Sequence, residues 1–140
     1  MERTDDPIVR VFDGDRILAI IIRSTFHKKG IDFLTEEDAI QQLAYMSHPA
    51  GHIVPAHTHN NVKRVIIGTP EALFVRKGKV KIDIYTSKGE LLDSHVVESG
   101  DVIMLADGGH GLTMLEDAEL IEIKQGPYAG KGDKTKFMES

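Results

Sequence analysis

Apolar and polar residues alternate with a period of two along much of the chain, most clearly in the stretch VKIDIY at residues 80–85. This alternation is typical of β-strands that bury one face. Short apolar runs bounded by turn residues predict further strands, at residues 17–22, 72–75, 91–98, 102–105, 112–115 and 120–124. Because glycine-bearing turns recur every eight to twelve residues, the pattern predicts an all-β sandwich or barrel rather than a βαβ fold.

One segment departs from the strand pattern and has the spacing of a helix. Thr35 is followed three residues later by Asp38, as in a capping box. Apolar residues then recur at helical intervals as far as Ala44. We therefore predict one short helix near the N-terminus, ahead of the strand-rich part of the chain.

Composition narrows the classes of protein to which the chain can belong. Of its 140 residues, 41% are hydrophobic and 28% charged, as in ordinary soluble domains. The net charge of -5, from 17 Lys and Arg against 22 Asp and Glu, argues against a nucleic-acid or anionic-membrane surface. No apolar stretch approaches the roughly 20 residues of a spanning helix, and the first residues lack the apolar core of a signal peptide. We therefore expect a cytoplasmic protein with neither nucleic acid nor membrane as partner.

The chain has no cysteine, so any transition metal has to be bound by His, Asp or Glu side chains. His57 and His59 lie two residues apart, a spacing that places both imidazoles on one face of a β-strand. Glu71 opens the next predicted strand, and His110 lies among three glycines that let the backbone approach a ligand closely. Three imidazoles and one carboxylate would leave a divalent ion with open positions for water or substrate. The alternative for each of these residues is that it is an exposed or turn residue that does not bind a metal.

These residues carry a resemblance to the cupin superfamily. Its first motif is a glycine, five residues, His-x-His, a short gap, a glutamate, six residues and a glycine. That pattern is filled here by Gly51, His57, His59, Glu71 and Gly78. The gap, normally three or four residues, is the eleven-residue stretch 60–70, which we interpret as an insertion. The second motif is met more loosely, because Ala106 replaces its proline and His110 comes one residue early.

The resemblance implies a fold and a metal. Cupins are antiparallel double-sheet, jelly-roll-like barrels that typically bind one divalent metal through three histidines and a glutamate, and many form homodimers. It therefore implies one cupin domain over residues 1–140. Its expected parts are an N-terminal strand and helix at 15–44, a barrel core at 45–125 and a C-terminal tail at 126–140. Residues 124–128 also look similar to the ends of small cupins associated with bacterial surface-sugar metabolism, which would place the chain in carbohydrate metabolism.

Three functional hypotheses remain open at this point. The first is a protein that binds one divalent metal (Fe, Mn, Ni, Co or Zn) together with a small sugar-type or carboxylate-type ligand, with metal-dependent oxygenase or isomerase as the enzymatic options. The second is a metal-independent sugar-nucleotide isomerase or epimerase with histidines as acid and base. The third is a non-catalytic module that binds a small molecule. Arg64 and Tyr85 are the candidate ligand-binding residues, and their alternatives are a solvated loop arginine and a packing tyrosine.

Overall fold

The computed structural model describes residues 6–137, which form two compact units. The larger unit contains the described residues up to Phe26 and from Thr69 onward, and the smaller contains His27–Gly68. The strands are β1 (Ile8–Asp13), β2 (Arg16–Ile22), β3 (Gly30–Phe33), β4 (Ala44–Ser47), β5 (Glu71–Lys77), β6 (Lys79–Tyr85), β7 (Leu91–Glu98), β8 (Val102–Leu105), β9 (Gly109–Met114) and β10 (Glu119–Lys124). All pairings among them are antiparallel, and within residues 6–137 the only helix is the 3-10 turn Lys131–Asp133. The all-β prediction is confirmed.

The larger unit is built from two sheets that share one core. Its five-stranded sheet has the order β1-β2-β8-β5-β10, and its three-stranded sheet has the order β7-β6-β9. The alternation on β6 buries Val80, Ile82 and Ile84 completely, and Leu73 and Val75 of β5 join the same cluster. In the described residues no strand pairing joins the two sheets, so they form a double-sheet arrangement rather than a closed barrel. β9 and β10 each end a sheet and keep one free edge.

The turn between β5 and β6 requires a glycine. Gly78 has a φ of 85°, in the left-handed region that L-residues with a side chain rarely adopt. A Cβ at this position would also collide with the backbone carbonyl of Asp117. The glycine that closes the first cupin-like motif is therefore needed for both backbone conformation and close packing.

A buried carboxylate fixes the turn that precedes β8. Asp101 is fully buried and accepts hydrogen bonds from the backbone N–H groups of Ser24 and Glu98, both at 2.8 Å. Its Oδ2 lies 3.4 Å from the guanidinium of Arg23, which is also buried and donates to the carbonyl of Val96. Charge pairing and backbone donors together compensate the desolvation of this carboxylate.

The smaller unit contains the β3–β4 hairpin and lacks the predicted helix. In the intervening loop, the Gln42 side-chain amide donates to the carbonyls of Glu36 at 3.0 Å and Ala39 at 2.9 Å. The Thr35 hydroxyl accepts from the backbone N–H of Leu43, and Leu34 and Leu43 are joined by a backbone hydrogen bond. The helix prediction is wrong because side chains bond the loop backbone and close it as a compact turn instead.

Residues 48–70 contain no strand. The strand geometry predicted for His57 and His59 is thus absent, although the two rings remain neighbours. Within residues 6–137 no helix has the length and apolar character needed to cross a membrane.

Candidate functional site

Glu71 and His110 meet in the larger unit although 39 positions separate them in the sequence. Glu71 is the first residue of β5, on the face that carries the buried Leu73 and Val75. His110 lies opposite Ile84 of β6, so its ring points to the core side of the three-stranded sheet. Its Nε2 lies 2.5 Å from Glu71 Oε1. The pair joins the two sheets at one end of the core.

The carboxyl group of Glu71 is held as an anion. It is only 8% exposed, which by itself would favour the neutral form. The hydrogen bond from His110 outweighs this burial and, with a hydrogen bond from Glu122, lowers the pKa of Glu71 from 4.5 to about 2. At neutral pH this position is therefore a buried, negatively charged oxygen donor.

Glu122 adds a second carboxyl group that the sequence did not single out. It lies opposite Leu73 of β5, two residues before Lys124, which lies opposite Glu71. Its side chain hydrogen-bonds to Glu71. That hydrogen bond, burial and the charge of Glu71 raise the pKa of Glu122. The pKa values of the two carboxyl groups are thus shifted in opposite directions, as expected when two acids share a proton. Alternation along β10 could have indicated this, because Glu122 lies two residues after Leu120 and therefore on the same face of the strand, the face that packs against the core.

His57 and His59 lie together in the smaller unit. Their ring centroids are 5.3 Å apart and the rings are inclined by 70°, with both residues exposed. His57 Nδ1 lies 2.8 Å from the backbone carbonyl of Pro55. Because a carbonyl only accepts, Nδ1 must carry the hydrogen, and the lone pair of the neutral ring is then on Nε2. A backbone hydrogen bond of this kind commonly orients a metal-binding imidazole.

The two candidate ligand-binding residues are in different environments. Arg64 is an exposed residue of the strandless segment in the smaller unit. Tyr85 ends β6 in the larger unit, and its ring packs at 5.4 Å against Phe137. The Phe137 ring in turn covers Gly109, the residue before His110, so a Cβ at that glycine would collide with it. Tyr85 therefore has a packing role beside His110.

The donor atoms of the four predicted metal ligands fit a divalent first-row metal. Two pairs are formed, Glu71 with His110 in the larger unit and His57 with His59 in the smaller. They offer an ionised carboxylate and a His57 Nε2 lone pair, donors that such metals accept. The described residues provide no group of three or more His, Cys, Asp or Glu side chains that could hold a metal ion.

The cupin resemblance rests on the motif residues in the sequence. The two motifs supply the four candidate ligands, and the sheets supply the contact between two of them. No protein-family model, no curated protein and no solved structure matches this chain.

Proposed function

We propose that this protein is a cupin-like metalloprotein that binds one divalent transition metal through His57, His59, Glu71 and His110. The observation that carries the proposal is the 2.5 Å contact between Glu71 Oε1 and His110 Nε2. Two residues on different sheets, singled out by spacing as ligands of one metal, have their donor atoms next to each other. A proton shared by such a pair occupies a position that a cation can take.

Each proposed ligand has a role that its surroundings support. Glu71 supplies negative charge in a poorly hydrated position, where its attraction for a cation is least screened. His57 presents Nε2 with its ring oriented by Pro55. When bound, the metal would act as a Lewis acid or activate water or dioxygen.

The ligand we propose is a small polar molecule of the sugar or carboxylate type. Arg64 supports this class because a guanidinium pairs bidentately with carboxylate or phosphate and is exposed here. The hydroxyl of Tyr85 is the second candidate contact, on the strand that flanks His110.

The first experiment is metal analysis of protein purified without a nickel column, followed by titration with Zn, Mn, Co, Ni and Fe(II). We expect one metal per chain, and loss of binding in His57→Ala and His59→Ala. His27→Ala is the matched control, since His27 is another exposed histidine of the smaller unit. Absence of stoichiometric metal after reconstitution, or equal binding by all three variants, would contradict the proposal.

A second candidate function is metal-independent acid–base catalysis on a sugar nucleotide. It is favoured by the opposite pKa shifts of Glu71 and Glu122, because neighbouring carboxyl groups with separated pKa values are typical of acid–base sites. His110 would transfer the proton, and Glu71 would orient its ring.

Chelator separates the two functions. Turnover of nucleotide sugars that persists in EDTA and disappears in His110→Ala would favour acid–base catalysis. Turnover that needs added metal would favour the metalloprotein. Metal and ligand binding without turnover would indicate the non-catalytic module.

A further inference from the structure

Residues 53–67, which we call the histidine segment, contain two of the four proposed metal ligands and are held by few contacts. Every residue from 49 to 68 is exposed, so none of these side chains is packed into a core. In the part of the chain that the structure describes, no backbone N–H group of the histidine segment donates a hydrogen bond. The Pro55 carbonyl accepts one from His57 Nδ1, which joins residues only two positions apart. The described contacts of the smaller unit therefore do not fix the backbone of this segment.

A segment without packing or backbone hydrogen bonds exchanges among several conformations. Fixing the φ and ψ angles of a residue costs conformational entropy, which burial or bonding has to offset. The parts of a protein that open at the lowest free energy are those with few buried apolar contacts and a solvent-exposed backbone. We therefore expect the backbone amides of the histidine segment to exchange rapidly with solvent in the metal-free protein.

The composition of the histidine segment is nevertheless that of a chain able to become ordered. Permanently disordered chains have few β-branched residues and a high net charge. This segment carries large β-branched side chains, including Ile53 and Val65, each 79% exposed, and Ile67, 86% exposed. Apart from its histidines, its ionisable side chains are those of Lys63 and Arg64. Residues of this kind favour an extended conformation once an anchor offsets the entropy cost of fixing it.

His57 and His59 are suited to provide that anchor. Their rings lie 5.3 Å apart, and the hydrogen bond to Pro55 leaves the lone pair of the neutral His57 ring on Nε2. The other two proposed ligands, Glu71 and His110, lie on regular strands. A metal bound by all four would thus tie weakly held ligands to fixed ones. Where part of a metal site is not preformed, metal binding and ordering of the chain are coupled.

We propose that binding of the divalent metal orders the histidine segment, so that the metal-free and metal-loaded proteins differ in this segment and share the same strands. Arg64, the candidate residue for contacting an anionic ligand, lies five positions after His59 in the same segment. Metal binding therefore also fixes the backbone that carries Arg64. This inference rests on the proposed metal site, whose occupancy would control whether the ligand-binding arginine is positioned.

Hydrogen–deuterium exchange measured in EDTA and in zinc tests the ordering. We expect the amides of residues 53–67 to exchange rapidly in EDTA and to slow by about tenfold or more when zinc is bound. Peptides from β6 should be equally protected in both conditions. The variant with both His57→Ala and His59→Ala should show no effect of zinc. Bound zinc without slower exchange, or full protection already in EDTA, would overturn the inference. Absence of bound zinc would contradict the proposed function itself.

Limited proteolysis with trypsin tests the effect on Arg64 independently. Cleavage requires a locally opened chain, so its rate reports how firmly the segment is held. We expect zinc to slow cleavage after Lys63 and Arg64. Lys88, an exposed lysine between β6 and β7, is the matched control, and the rate of cleavage after it should be the same in EDTA and in zinc. Unchanged cleavage after Lys63 and Arg64 in protein that has bound zinc would overturn the inference and leave the proposed metal site in place.

Discussion

His110 Nε2 lies 2.5 Å from Glu71 Oε1, and this contact joins the two sheets of the larger unit. It places an imidazole and a buried carboxylate on the strand faces that also carry the buried apolar residues Ile84, Leu73 and Val75. Burial of a carboxylate in such a position costs desolvation free energy, and such a group is kept where it has a chemical use or fixes a specific arrangement.

Glu71→Gln should remove metal binding while preserving the shape of the side chain. The amide of glutamine is uncharged and binds metals weakly. We therefore expect metal affinity to fall by more than the 10–100-fold typical of losing a residue that only hydrogen-bonds to a metal ligand. Metal titration monitored by calorimetry measures the difference in affinity between the variant and the wild type. Glu122→Gln is the matched control and should retain metal binding, because Glu122 lies next to Glu71 but is not one of the proposed metal ligands. The reverse order of affinities would assign the carboxylate ligand to Glu122.

The stability of the metal-free protein should fall at acid pH because of Glu71. Its pKa is lowered from 4.5 to about 2 in the folded chain. The stabilisation is therefore fully present above pH 4.5 and is lost as pH falls from there toward 2. A shift of this size corresponds to about 3 kcal/mol. Urea unfolding from pH 7 to pH 2.5 should show the wild type approaching Glu71→Gln in stability. A constant difference between the two proteins would argue against the His110 contact.

Gly78→Ala should destabilise the larger unit by about 1–3 kcal/mol or more, because it combines a positive φ with a collision. The added Cβ meets the Asp117 carbonyl, a backbone atom that cannot rotate away. Gly14→Ala is the control, since Gly14 also has a positive φ but open space around it. Thermal unfolding should rank Gly78→Ala clearly below Gly14→Ala. Equal losses would show that the backbone conformation alone decides the cost.

Asp101→Ala should cost about 3–5 kcal/mol, the range for removing one partner of a buried ion pair. The guanidinium of Arg23 and two backbone N–H groups would each lose an acceptor. Glu116→Ala removes an exposed ion pair with Lys79, at 3.7 Å, and should cost no more than about 1 kcal/mol. Denaturant unfolding compares the two variants. Similar losses would mean that Asp101 is hydrated in solution.

The strands were predictable wherever local pattern decides structure. Residues 91–98 and 102–105 were predicted with the bounds of β7 and β8, because turns with glycine end both runs. The first strand, Ile8–Asp13, was missed because Ile8 and Phe12 place apolar side chains on the same face as Arg10 and so hide the alternation. The helix after Thr35 was predicted in error because a capping box cannot reveal that Gln42 will bond the loop carbonyls.

The candidate site was only partly predictable for a related reason. Spacing identified Glu71 and His110, but their contact depends on how two sheets pack, which no local pattern contains. Spacing could not bring Glu122 to Glu71, because their proximity depends on the register that places Glu122 opposite Leu73. Register follows from long-range pairing and is fixed only when the whole sheet forms.

The contact of Phe137 with Tyr85 and Gly109 has a practical consequence for handling the protein. Proteolytic trimming of the tail, or a fusion partner attached close to residue 137, would strip an aromatic cover from the glycine next to His110. A purification tag is therefore better placed at the N-terminus, where it leaves the contact of Phe137 with Gly109 on β9 intact.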